Sequence, residues 1–124
     1  MNQTAKQKRW LELVAYRLPC IVSGETYSNQ IHHCLGRTAK VKGVGNIGHW
    51  FILPLAWEYH DVASNSEYNV THHKHAFEDR FGTEKDLFID VINKLEFLAK
   101  SDKSINLNDF PPFEVVQAIL NYTR

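Results

Sequence analysis

The sequence predicts an α+β fold: a small antiparallel β-hairpin packed on a helix, with further helices on either side. Three observations carry this expectation. The stretch from Gln30 to His60 reads as two short apolar strands, residues 31–34 and 50–55, joined by a glycine-rich connection and followed by a helix start that carries His60. On both sides of it, apolar residues recur at spacings of three and four, the period of a helix with one buried face. All seven histidines fall between His32 and His75, so the chain's most reactive side chains crowd the same segment.

In chain order, Trp10, Leu11, Val14 and Leu18 form the apolar stripe of a helix over residues 5–18, stopped by Pro19 and expected to close over the hairpin. The Ser23-Gly24 pair marks a tight turn into the first strand. In the connection, Gly43, Gly45 and Gly48 match the G-x-G-x-x-G spacing of dinucleotide-binding loops. That motif must open a helix whose N-terminus holds pyrophosphate. Here a strand-like run, Trp50-Phe-Ile-Leu-Pro-Leu, follows, so the segment reads as a mobile loop. Residues 61–69 are polar and turn-rich. A helix over 74–82 should stop at Gly82, and Thr83 should cap a longer one over 84–100. That longer helix has Leu87, Phe88, Val91, Ile92, Leu95 and Leu98 on one face. Pro111-Pro112 lead into a last helix over 112–123.

The 124 residues make one domain, with a core over about 20–82 and flanking helices at both ends. No stretch is long and apolar enough for a membrane span, and the first residues lack the apolar core of a signal peptide, so a cytoplasmic protein without a membrane partner is expected. Cys20 and Cys34, the two cysteines, fit no finger or redox spacing and read as free thiols. The net charge of zero hides a division: up to His60 seven Lys/Arg stand against three acids, and beyond it seven stand against eleven. Arg37, Lys40 and Lys42, together in one loop beside the histidines, form a local positive field suited to DNA phosphates.

A neutral imidazole is both a common metal ligand and a base suited to neutral pH. Any single histidine is more often a surface or satisfied core residue. A group of seven, with pairs where strand and helix ends meet, points instead to a hydrolytic metal site.

The order of the motifs resembles the HNH endonucleases, whose fold is the ββα-metal module. Cys20-Ile-Val-Ser-Gly24 matches that family's first cysteine knuckle with one cysteine lost, His32-His33 match the strand-end pair, and Leu53-Pro54-Leu55 through His60 match the second strand with both cysteines gone. Of the four knuckle positions only Cys20 keeps a thiol, with Ser23, Ala56 and Tyr59 in the others, so packing should replace structural zinc. Within the superfamily the chain is most similar to the phage recombination enhancement function (Ref) nucleases. His32-His33-Cys-Leu-Gly, Ile47-Gly48-His49 and Ala76-Phe77-Glu-x-x-Phe81-Gly82-Thr83 carry that likeness.

The resemblance implies a metal-dependent DNA endonuclease with one divalent ion: zinc, manganese, nickel or magnesium. His33 is then the general base and His49, nearest the family's central Asn, the orienting residue. His32 and His60 are metal ligands, with His73 as the third and His72 or His49 as alternatives. The Ref likeness also implies targeting through a RecA filament. Adjacent strand residues point to opposite faces, so His32 and His33 serve one site only where the strand turns into its loop. Two other readings stand beside this one: an idle module that binds DNA or protein, and a hydrolase of some other substrate.

Overall fold

The computed structural model describes residues 3–26 and 29–123. Helix α1, Ala5–Arg17, starts at Thr4, whose hydroxyl accepts from the Gln7 amide while the Gln7 side chain accepts from the Thr4 amide. This reciprocal cap satisfies two amides that the first turn leaves open. Trp10 and Val14 are fully buried, and the Trp10 indole donates to the Trp50 carbonyl at 3.0 Å, which fixes α1 across the hairpin as its stripe predicts.

Strand β1, Asn29–His33, pairs in register with a partner strand at Ile52–Ala56, so that His33 lies opposite Ile52 and His32 opposite Leu53. Both strands fall within two residues of expectation. Between them, the segment read as a mobile loop is itself built: β2, Lys40–Val41, and β3, Gly45–Asn46, form a second small hairpin, and the Ile52–Ala56 strand is β4. The glycines are its turn chemistry. Gly43 and Gly45 take positive φ, of 84° and 102°, which other residues adopt only under strain. Gly48 serves closeness instead, because a Cβ there would lie 2.2 Å from the Gly36 carbonyl oxygen.

A four-residue helix, α2, Trp57–His60, ends at the histidine where a helix was expected to begin. The polar stretch beyond it folds around fully buried Asn69. Its side-chain amide donates to the Glu58 and Asp61 carbonyls, and its side-chain oxygen accepts from the Thr71 and His72 amides. The remaining helices are α3, Lys74–Phe81, α4, Glu84–Ala99, and α5, Phe113–Asn121, each within two or three residues of its predicted span. Thr83 caps α4 as expected, its side chain accepting from the Asp86 amide.

The core joins α1, β4, α4 and α5 through Trp10, Leu53, Leu55, Phe88, Val91, Leu95 and Ile119. All five β4 residues are buried, so β1 holds the partly open side of the ribbon. Cys20 and Ala56 are buried in this core. The turn after Cys20 closes by backbone bonds, Gly24 donating to the Cys20 carbonyl and Ile21 to that of Pro54. Among the described residues no helix is long and apolar enough to cross a membrane.

Candidate metal centre

Alternation along β1 sorts its polar side chains. Gln30, His32 and Cys34, at every second position, face one cavity of about 480 Å³, whose wall also includes His60, Lys74 and Glu84. One ligand atom from each of His32, Cys34 and Glu84 lies within 4.8 Å of the others, a grouping able to hold a divalent ion. The stub α2 brings His60 beside this group, its ring centroid 5.1 Å from that of His32. His60 Nδ1 lies 2.6 Å from the Gln30 side-chain oxygen, and the Gln30 amide donates to Asp61 at 2.8 Å.

Glu84, like Cys34, is a cluster residue that the sequence did not mark as part of a site. It stands at the first position of α4, where an acid is commonplace, yet it is 6 % exposed and makes three contacts. One carboxylate oxygen is 2.5 Å from His32 Nε2, the other is 3.0 Å from Lys74 Nζ, and its amide donates to a Glu78 carboxylate oxygen at 3.1 Å. Burial by itself would raise its pKa, but the bonds from His32 and Lys74 outweigh burial and hold the carboxyl below its ordinary value. Burial first, then Glu84, pushes the Cys34 thiol well up, so the sulfur is protonated in this state. His60 is lowered by burial and then by His32, which favours the neutral imidazole that a metal requires.

Cys34 could have been found from the Gln30-x-His32-x-Cys34 alternation. Glu84, fifty-two positions beyond His32, carries no local signal.

His33 projects to the other face. There its ring meets His49 edge-on, centroids 5.9 Å apart, and its buried Nε2 has no hydrogen-bond partner among the described residues. Burial first, then Arg37 and the neighbouring histidines, lowers its pKa to about 4, so the ring is neutral at neutral pH. His49 is buried, and its amide donates to the Asn46 side chain at 2.9 Å.

The other expected site residues sit elsewhere. His73 is exposed at the N-cap of α3, its ring 6.4 Å from that of His72, and it does not line the cavity. His72 Nε2 is engaged by the Val62 carbonyl at 2.8 Å. Arg37, Lys40 and Lys42 are exposed on and around the second hairpin and are likewise not part of the cavity wall.

A model of the family described as "Recombination enhancement, RecA-dependent nuclease" matches residues 3–96. The chain belongs to that family. No curated protein and no solved structure matches it. The part shared with the RecA-dependent nucleases runs from α1 into α4 and contains every residue of the cavity wall, while α5 lies outside it. The hairpin, the helices after it and the His/Cys/Glu group are consistent with a ββα-metal core. The Asn69-centred stretch stands between α2 and α3.

Proposed function

We propose that this protein is a divalent-metal-dependent DNA endonuclease whose ion is held from the His32 cluster and whose cleavage is directed by a RecA filament. The observation that carries the reading is the cluster itself: three donors converging on one wall of an open cavity, in a chain of a RecA-dependent nuclease family.

The residues fit such an ion. His32 supplies nitrogen, Glu84 an ionised oxygen and Cys34 a sulfur that a metal would deprotonate, with His60 adjacent as a further nitrogen. Nitrogen and sulfur donors favour zinc, and also nickel or manganese over magnesium, which prefers oxygen. When bound, the ion supplies Lewis-acid stabilisation of the negative charge that develops on the phosphoryl group.

Hydrolysis needs water to attack phosphorus, the bond to the 3′ oxygen to break, and the water's proton to go to a base. His33 is our candidate for that base. Its ring is neutral at neutral pH and so able to take the water's proton. His33 ends β1, and the chain turns at once, the Gly36 amide donating to the His33 carbonyl; in this reading the attacked phosphate sits at that strand end, within reach of both faces. His49 packs against the base and limits its orientation. In this reading His73, exposed and outside the cavity wall, gives way to Glu84 and Cys34 as the further ligands. Arg37, Lys40 and Lys42 hold flanking phosphates without reading sequence.

The deciding experiment is a metal screen with zinc, manganese, nickel and magnesium on single-stranded, double-stranded and branched DNA, with and without RecA filaments. Metal-dependent nicking that a chelator abolishes is expected, stronger on filament-bearing DNA. Retention of DNA without cleavage under every condition would replace the enzyme by a binding module.

A further inference from the structure

Among the described residues the cavity wall has two carboxylates, Asp61 and Glu84, and one lysine, Lys74. Phosphodiester hydrolysis brings an anion to this wall and adds negative charge as the reaction proceeds. The carboxylates oppose that charge, and Arg37, Lys40 and Lys42, on and around the second hairpin, are not in the wall to offset it.

Lys74 is placed to do so. It is the first residue of α3, and its Nζ is tethered 3.0 Å from Glu84 Oε1, while the other oxygen of the same carboxylate meets His32. The ammonium is therefore held beside the metal cluster by a group that is itself 7 % exposed. An ammonium has three donors, and Glu84 engages one. The Lys74 side chain is 46 % exposed and lines the cavity, so donors remain for an incoming oxygen.

We propose that Lys74 contacts a non-bridging oxygen of the scissile phosphodiester and stabilises its developing charge. The proposal rests on the nuclease reading but can fail separately from it. Lys74→Met keeps most of the stem and removes the charge, and Lys74→Arg keeps the charge.

Calorimetric titration with zinc alone should show Lys74→Met binding metal at least as well as the unmodified protein, because a competing cation has gone. The salt dependence of duplex binding should lose about one phosphate contact, a slope change of roughly 0.9. Single-turnover cleavage at saturating DNA should fall about 10²–10³-fold, as when one transition-state donor is removed, with part of the loss recovered in Lys74→Arg.

Unchanged slope and cleavage in Lys74→Met would overturn the proposal. So would a parallel loss of zinc affinity and thermal stability, since Lys74 would then serve only as a counter-ion to Glu84. If the unmodified protein cuts nothing, the nuclease reading fails, and the salt slope alone still decides whether Lys74 meets phosphate.

Discussion

The two faces of β1 carry neighbouring histidines into opposite surroundings. On one, Gln30, His32 and Cys34 open onto a cavity, with His32 and Gln30 held by Glu84, His60 and Asp61. On the other, His33 is pressed against His49, with one nitrogen enclosed and its basicity lowered. Identical side chains one residue apart thus become a candidate ligand and a candidate base. Strand alternation decides which partner each receives, and burial lowers the basicity of His33. The histidine type decides neither.

The largest expected effect separates these roles. His33→Ala should lower cleavage about 10²–10⁴-fold while zinc still binds, the pattern for loss of a general base. His32→Ala should remove zinc binding and cleavage together. Calorimetry and single-turnover kinetics on the two variants check this, and equal cleavage by His33→Ala and the unmodified protein would leave the His33 face without a catalytic role.

Glu84→Gln sharpens the assignment on the cavity face. The change keeps the size of the side chain and removes the charge that meets both His32 and Lys74. Loss of an outer-sphere partner typically costs about 10–100-fold in metal affinity, and loss of a direct ligand should exceed that. A cobalt titration followed by absorbance also reads out Cys34: a thiolate charge-transfer band is expected, and Cys34→Ser should remove it. Tight cobalt binding with no such band would restrict the site to nitrogen and oxygen donors.

The connection between β1 and β4 should be most sensitive at Gly48. A methyl group there would overlap the Gly36 carbonyl oxygen and crowd the Arg37 carbonyl carbon and oxygen at 2.9 Å, all of them backbone atoms. Gly48→Ala should therefore lower stability by about 1–3 kcal/mol, the usual cost of overpacking. Thermal unfolding measures it, and an unchanged Tm would show that this approach relaxes freely.

The smallest effect lies far from both faces, where Arg17 of α1 meets Asp102 at 2.5 Å. The Asp102 carboxyl is lowered first by the Ser104 hydroxyl and amide and then by Arg17. A depressed carboxyl contributes stability above its unfolded value, near pH 4, and loses it as pH falls through the lower folded value. Asp102→Asn should therefore be slightly less stable than the unmodified protein at pH 6 and indistinguishable from it in strong acid. Urea titrations at the two pH values test this. A gap that widens in acid would contradict the sign.

The sequence by itself determined the elements and much of their chemistry. Apolar spacing set α1, α3, α4 and α5. The residue types at His32-His33 and the order of motifs through Thr83 pointed to the nuclease family. These signals are local, because a helix face, a cap or a strand end is written in residues a few positions apart. Three features depended on contacts that local patterns do not encode. The glycine segment looked mobile, and only backbone pairing of Lys40 with Asn46 and the seat of Gly48 on Gly36 made it a hairpin. The helix expected from His60 was cut short by the bonds that buried Asn69 makes to Glu58 and Asp61. Glu84 read as an ordinary first-turn acid until α4 packed on the hairpin and set its carboxylate between His32 and Lys74. Tertiary structure decided the site for a physical reason: its donors come from a strand and from a helix start fifty-two residues later, and their meeting depends on how the core brings those elements together.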